Sequence, residues 1–221
     1  MLLVINGDKP MPILLGSSLS SYVRKVLIFS FEAGIALELR NDIVPFPAPE
    51  ELLAVNPRGK IPGYSDDDIK LGESAVICAY LDRKHGGTGL YPTNAPDYGR
   101  ALWFEKYAEE ELIPAIIKVF FNRVLIKMIG GKPDEDAIKE ALAVDQPKVF
   151  TYLNEQIGDK EFLVGDQFSI ADISMFSPYV NHKLAGEDID TILYPNLHRY
   201  LQQLKTRPSI QRAVEMDGVE L

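Results

Sequence analysis

Asn56-Pro57-Arg58-Gly59-Lys60-Ile61-Pro62, followed by Leu71-Gly72-Glu73-Ser74-Ala75-Val76-Ile77, decides how this chain is read. The first stretch is a loop that ends on an X–Pro pair and opens an apolar run. Ile61–Tyr64 and Ile69–Leu71 read as two short strands around the acidic turn Asp66-Asp67-Asp68. Glu73–His85 reads as a helix. Free N–H groups at such a helix start bind a carboxylate, and the Ser74 hydroxyl adds a donor. The Glu73 carboxylate can pair with an ammonium. Plain N-terminal capping is the alternative for the same two residues.

Working back toward the N-terminus, Pro12–Leu15 is a short strand leaving into Gly16-Ser17-Ser18. Ser20 or Ser21 can cap a helix whose inward positions are Val23, Val26, Leu27 and Ser30-Phe31, ended by Ala33-Gly34. Leu37–Val44 carries the next strand, Pro45–Pro49 breaks the chain, and Glu50–Val55 is one or two helical turns. The order is βαβα, then ββα. Residues 1–10 extend beyond this unit.

Toward the C-terminus, Gly86-Gly87-Thr88-Gly89 through Pro96 crowds glycine and proline into a linker. Beyond it the pattern is helical. Tyr98–Met128 is one long amphipathic stretch, with a kink or break expected at Pro114. Pro133–Gly158 is a second helix, with Asp134, Glu135 and Asp136 in a first turn that favours acids. Ser169–Lys183, Pro195–Thr206 and Pro208–Met216 follow. Ser169 and Asp172 form a capping box, with Phe168 placed to staple the chain onto the helix. The fold class is α+β, with residues 1–86 as one domain, 87–97 as the linker and 98–221 as an all-helical domain.

The chain has 221 residues, 46% of them hydrophobic and 25% charged, which is a globular composition. The net charge of −9 argues against a nucleic-acid partner, since that needs a basic footprint. No apolar run is long enough to span a bilayer, and the N-terminus lacks the pattern of a secretory signal. Cys78 is the only cysteine, so no intrachain disulfide forms and a reducing, cytoplasmic compartment is expected. It reads as a buried structural thiol. His85, His182 and His198 have no metal-ligand spacing, so no metal site is expected. There is no G-x-S-x-G elbow and no P-loop.

Four blocks together resemble the cytosolic glutathione transferase superfamily, of a serine-type, bacterial or fungal-like kind. They are Gly16–Val26, Asn56–Pro62, Leu71–Ile77 and Phe162–Asp172, in this order and at these spacings. The resemblance implies an N-terminal thioredoxin-like βαβαββα domain, a C-terminal helical bundle and a homodimer. It implies a cis Ile61-Pro62 bond, whose exposed Ile61 N–H and C=O pair with glutathione as an added strand. Glu73 and Ser74 would then hold the γ-glutamyl group. Lys60, with Arg58 as second choice, would face the glycyl carboxylate. Many classes also place a Lys or His in the loop after the second strand; here Pro45-Phe46-Pro47-Ala48-Pro49 has none.

The implied activity is detoxifying attack of the glutathione thiolate on a small hydrophobic electrophile, with glutathione as co-substrate and no other cofactor. A hydroxyl that donates to sulfur favours the thiolate, and a helix N-terminus adds a push of the same sign. Ser20 sits at such a start and is the candidate thiolate stabiliser; Ser17, Ser18 and Ser21 share its loop, and many relatives have proline in place of Ser21. Aromatics on the first helix of the second domain, Trp103, Phe104, Tyr107, Phe120 and Phe121, are candidates for the second site, although aromatics at helical spacing more often form core. Glutathione peroxidase chemistry would use the same residues. A glutaredoxin-like reductase would need a cysteine where Ser20 stands. A non-catalytic glutathione-binding or assembly module on the same fold is the remaining alternative.

Overall fold

The computed structural model describes residues 10–217. The expected extension at residues 1–10 therefore lies, apart from Pro10, outside the described residues. The N-terminal part runs β1 (Ile13–Leu15), α1 (Ser21–Glu32), β2 (Glu38–Arg40), α2 (Glu50–Leu53), β3 (Gly63–Ser65), β4 (Lys70–Gly72) and α3 (Ser74–Lys84). The sheet order is β2-β1-β3-β4, with β1 parallel to β2 and the other pairs antiparallel. The expected βαβαββα order holds. The strands are shorter than the apolar runs predict. The Leu37–Val44 run pairs only over Glu38–Arg40, because β2 is a sheet edge and the prolines behind it cannot donate to a ladder.

The β3–β4 turn is held by Asp66, whose carboxylate accepts from the N–H groups of Asp68 and Ile69. The hydroxyls of Tyr64 and Tyr80 and the Lys84 ammonium also donate to it. Burial alone would raise the Asp66 pKa, but these donors hold it well below the usual carboxylate range.

α1 buries Val23, Val26, Leu27 and Ser30 as expected, whereas Phe31 is half-buried under the Arg212 guanidinium, 4.0 Å from its ring. It also buries two cations, Arg24 and Lys25. Periodicity places a charge on the solvent side by default; only the partners described below account for these two.

The helical part starts at α4 (Ala95–Tyr107), capped by Asn94, so the linker ends earlier than residue 97. The helical run continues unbroken through Pro114. α4 passes through a π turn (Ala108–Leu112) into α5 (Ile113–Phe120), then through a second π turn (Phe121–Leu125) into α6 (Ile126–Met128). Proline lacks an N–H and its ring collides with the carbonyl four residues back; a widened turn just before it relieves both. The same device recurs in the second helix, where α7 (Glu135–Glu140) passes through a π turn (Ala141–Asp145) into α8 (Gln146–Ile157), with Pro147 just after the turn. α7 is opened by Asp134, which accepts from the N–H groups of Asp136 and Ala137; Pro133 stands outside it.

α9 (Ile170–Leu184), α10 (Pro195–Lys205) and α11 (Pro208–Glu215) complete the chain. α9 is buried along almost its whole length and packs against α1, α4 and α5. One apolar core joins both parts: Leu14, Val26 and Ile77 lie in the same cluster as Ala101, Phe104, Ile173 and Phe176. The Ser169–Asp172 capping box is present. Among the described residues no helix is long and apolar enough to cross a membrane.

Candidate functional site

Three loops meet at one end of the strands β1, β3 and β4. Gly16, at φ +141°, ends β1, and its Cα lies so close to Val23 and Ile61 that an added Cβ would sit 2.7 Å and 2.9 Å from their side chains. The missing side chain lets the serine loop lie on the Ile61 loop. Gly16→Ala is expected to lower stability by about 2 kcal/mol, read by urea unfolding; an unchanged midpoint would show that the contact yields freely.

The serines of that loop have separate tasks. The Ser18 N–H donates to Asn41 Oδ1 at 2.7 Å and the residue is buried. Ser17 Oγ accepts from the Leu19 N–H. Ser21 is buried and its hydroxyl donates to Asn181 Oδ1 at 2.7 Å. Ser20 is half-buried and caps α1, its Oγ accepting from the Val23 N–H at 3.5 Å. Its hydroxyl proton has no partner among the described residues. The residue stands at a helix start, where backbone dipoles favour negative charge.

The Ile61-Pro62 bond is cis. A second cis bond, Phe46-Pro47, lies in the cation-free loop after β2, and nothing in the local sequence distinguishes it from the trans majority. The Ile61 loop is shaped by Asn56, which is buried, donates to the Lys60 carbonyl at 2.6 Å and accepts from the Arg58 N–H at 3.1 Å. Gly72 of β4 lies against the same side chain; a Cβ there would be 2.6 Å from it. Asn56 thus ties the loop bearing Lys60, Ile61 and Pro62 to the strand that delivers Glu73 and Ser74. The Lys60 side chain is exposed.

Glu73 stands just before α3 at φ 68°, the one non-glycine residue at positive φ among the described residues. Its carboxylate pairs with Arg58, and both side chains are about half exposed. Arg58, second choice for an anion partner, is therefore engaged by the residue expected to take an ammonium. Ser74 is buried, and its hydroxyl donates to Glu109 Oε1 at 3.4 Å. That carboxylate belongs to a cluster that periodicity could not show. Lys25 Nζ lies 2.7 Å from Glu105 and 3.1 Å from Glu109, and the Tyr91 hydroxyl donates to Glu105 at 3.3 Å. Burial depresses the Lys25 ammonium, but the two carboxylates outweigh it and raise its pKa, so the cation is retained. Cys78, beside this cluster, is fully buried, and burial pushes its thiol far above the ordinary range.

The five aromatic candidates divide. Phe104 and Phe120 are core. Trp103 is exposed, and its indole N–H donates to the Tyr152 hydroxyl at 3.2 Å, while the Tyr107 and Tyr152 rings lie 4.7 Å apart. Phe121 is half-buried on the second π turn. The cluster packed against the serine loop is aliphatic apart from Phe120. Leu19 packs on the cluster of Val119, Phe120 and Ala185, which Ile117, Val124 and Leu125 extend. The sequence signal for this patch was the run of aliphatic residues around Phe120, not its rings. Among the described residues no group of acids, histidines or cysteine is placed to hold a metal ion.

Residues 14–89 match the family model for the glutathione S-transferase N-terminal domain, and residues 106–216 match that for its C-terminal domain. The chain is 30% identical over 210 residues to glutathione S-transferase F13 of Arabidopsis thaliana, covering 89% of this chain and 91% of that protein. It is 27% identical over 205 residues to glutathione S-transferase GstB of Escherichia coli, covering 90% and 95%. In fold it is similar to the solved glutathione transferase F7 of Populus trichocarpa, with a TM-score of 0.81 at 23% identity, covering 93% of this chain and 99% of that one. Two family models in series, a full-length relative and a shared sheet-and-bundle architecture agree, and the chain belongs to the glutathione S-transferase family.

Proposed function

We propose that this chain is a serine-type glutathione transferase in which Ser20 donates its hydroxyl proton to the glutathione sulfur as the thiolate forms. The observation that carries the reading is the division among the serines. Ser18 is buried and held by its backbone N–H, Ser21 is buried with its hydroxyl engaged, Ser17 caps its own turn, and Ser20 alone combines partial exposure, a helix start and an uncommitted proton. The thiol proton leaves to solvent, the sulfur forms a bond to an electrophilic carbon, and the leaving group departs with its electron pair. The protein forms no covalent intermediate and contributes positioning and charge stabilisation. The plant and bacterial relatives give no particular support to a bacterial or fungal-like kind, so the serine-type reading rests on Ser20 alone.

In this reading the Ile61 N–H and C=O hold the cysteinyl backbone of glutathione, and Ser74 with the α3 N-terminus holds the γ-glutamyl carboxylate. Glu73 exchanges Arg58 for the substrate's ammonium, and Lys60, joined by the released Arg58, faces the glycyl carboxylate. The electrophile is small and hydrophobic and lies against the aliphatic patch beside Leu19. Exposed Val76, Tyr98 and Leu102 on the α3–α4 face support a homodimer. The acidic surface and single buried cysteine support a cytoplasmic protein without a nucleic-acid partner.

Glu73→Ala is expected to raise KM for glutathione about tenfold or more, with kcat changed far less. Steady-state kinetics with an aromatic halide and retention on glutathione-agarose check it. An unaltered KM would remove Glu73 from the site. Failure of the unmodified protein both to bind and to react would favour the non-catalytic module.

A further inference from the structure

The segment that bears Ser20 is held from behind by a polar network that the chemistry above does not use. Its centre is Asn181, on α9 in the helical part and fully buried. Asn181 Nδ2 donates to the Leu19 carbonyl at 2.7 Å. Its Oδ1 accepts from the Ser21 hydroxyl at 2.7 Å and from Arg24 Nη1 at 2.7 Å. One α9 turn earlier, the Ser177 hydroxyl donates to the Ser21 carbonyl, and the Ser177 carbonyl accepts from Arg24 Nη1 at 2.8 Å. Arg24 is itself fixed by Asp217, through Nε at 2.9 Å and Nη2 at 2.7 Å.

The residue type follows from the contacts. A carboxamide offers an acceptor with two lone pairs and a donor in one rigid plane. Here the acceptor meets two donors and the donor meets a carbonyl, so only one orientation of the amide fits and no polar atom of Asn181 is left unpaired. An apolar residue would leave the buried Ser21 hydroxyl and the half-buried Leu19 carbonyl without this partner, and Arg24 Nη1 with the Ser177 carbonyl alone. An aspartate would satisfy Ser21 and Arg24 but turn an oxygen against the Leu19 carbonyl.

The contacts fall on the residues immediately before and after Ser20, and none falls on Ser20. We infer that Asn181 is a positioning residue, which clamps Leu19 and Ser21 to the helical bundle and so fixes where the Ser20 hydroxyl meets the glutathione sulfur. A hydrogen bond to sulfur depends steeply on direction. Ser20 stands at a loop-to-helix junction, with only the long Val23 contact to hold its side chain. The aim of the hydroxyl is therefore set by the backbone on either side, and both sides are anchored to α9. The same clamp carries the serine loop along with the bundle whose aliphatic patch faces it, so sulfur donor and electrophile floor share one reference frame.

This inference rests on Ser20 as the thiolate stabiliser, and the test separates the two claims. The pH dependence of kcat/KM and the ultraviolet absorbance of bound thiolate are measured for the full chain, for Asn181→Asp, for Ser20→Ala and for the double variant. Asn181→Asp keeps the acceptor for Ser21 and Arg24, removes the donor to Leu19 and adds a buried negative charge, whose direct effect on the thiolate would persist without the Ser20 hydroxyl and so show in the double variant. It is expected to raise the pKa of bound glutathione by about one unit and to lower kcat at neutral pH about tenfold. KM for glutathione is expected to stay within about twofold, because the contacts of Ile61, Glu73 and Ser74 are untouched. The double variant is expected to be no slower than Ser20→Ala, since a mis-aimed hydroxyl matters only while the hydroxyl is present.

A folded Asn181→Asp with an unshifted profile, or losses that multiply in the double variant, overturns the role of Asn181 and leaves that of Ser20 standing. An unimpaired Ser20→Ala overturns both. If Asn181→Asp does not fold, Ser177→Ala removes one tether from the Ser21 carbonyl and is expected to give a smaller shift of the same sign; an unshifted profile there overturns the inference equally.

Discussion

Ser20→Ala is expected to lower kcat at neutral pH about 10- to 100-fold, with KM for glutathione nearly unchanged. A thiol with a pKa of about 8.5 is only a few per cent ionised at pH 7. A hydrogen bond to a charged acceptor contributes about 1.5–3 kcal/mol, or roughly one to two pKa units on the sulfur. Alanine removes that donor but keeps the α1 dipole, so part of the shift persists. The loss should shrink as pH rises and the thiol ionises without help. A plot of kcat/KM against pH for both proteins checks this: two curves that converge at high pH support the role, and superimposed curves refute it. α1 loses its cap as well, at a cost of about 1 kcal/mol in stability. Activity is therefore compared at a temperature where both proteins are folded.

Asp172→Ala is expected to lower stability by about 4 kcal/mol, the largest loss of any single substitution named here. The capping box was legible as a folding signal, and the structure gives its carboxylate more work than a cap. Asp172 is fully buried and accepts from the Ser169 N–H at 2.8 Å, the Leu163 N–H at 2.8 Å and the Tyr200 hydroxyl at 2.6 Å. It thereby joins the start of α9, the loop before it and α10. Burial raises the Asp172 pKa against the pull of these donors. Alanine strands all three donors in a dry interior, beyond the ordinary cost of a lost cap. For a chain of this size such a loss lowers Tm by roughly 10 °C. Urea unfolding and a thermal scan measure it, and a loss below about 1 kcal/mol would show that the hub is dispensable.

The parts of the fold that were legible are those with local causes. Strand–turn–strand around Asp66, the Ser169–Asp172 box and the N-P-R-G-K-I-P loop all read from nearest neighbours. Ser20 as a cap, Pro62 as cis and Ser74 at a helix start followed from the same stretches, the cis bond through family resemblance. What was illegible depends on partners far along the chain. Arg24 and Lys25 look like solvated helix charges until Asp217, Glu105 and Glu109 are placed on them. Asn181 has no local motif; its meaning lies in Leu19 and Ser21. Nor does sequence show a π turn, whose extra residue only shifts the phase of an apolar stripe; for that reason α4 through α6 read as one amphipathic stretch with a kink or break at Pro114 and no widened turns.

The core that runs unbroken from the sheet into the bundle has a further consequence. Each part on its own would expose the face it now shares, so the two parts are expected to unfold together in a single transition. What joins the halves is α1 wedged between α9 and α11, with a buried ion cluster on one side and Asp217 drawn back onto Arg24 on the other. The chain is closed on itself by side chains, its last described residue fastened to its first helix. Asp217 thereby stands one side chain away from the network that holds the serine loop, although 193 residues separate it from Arg24 in sequence.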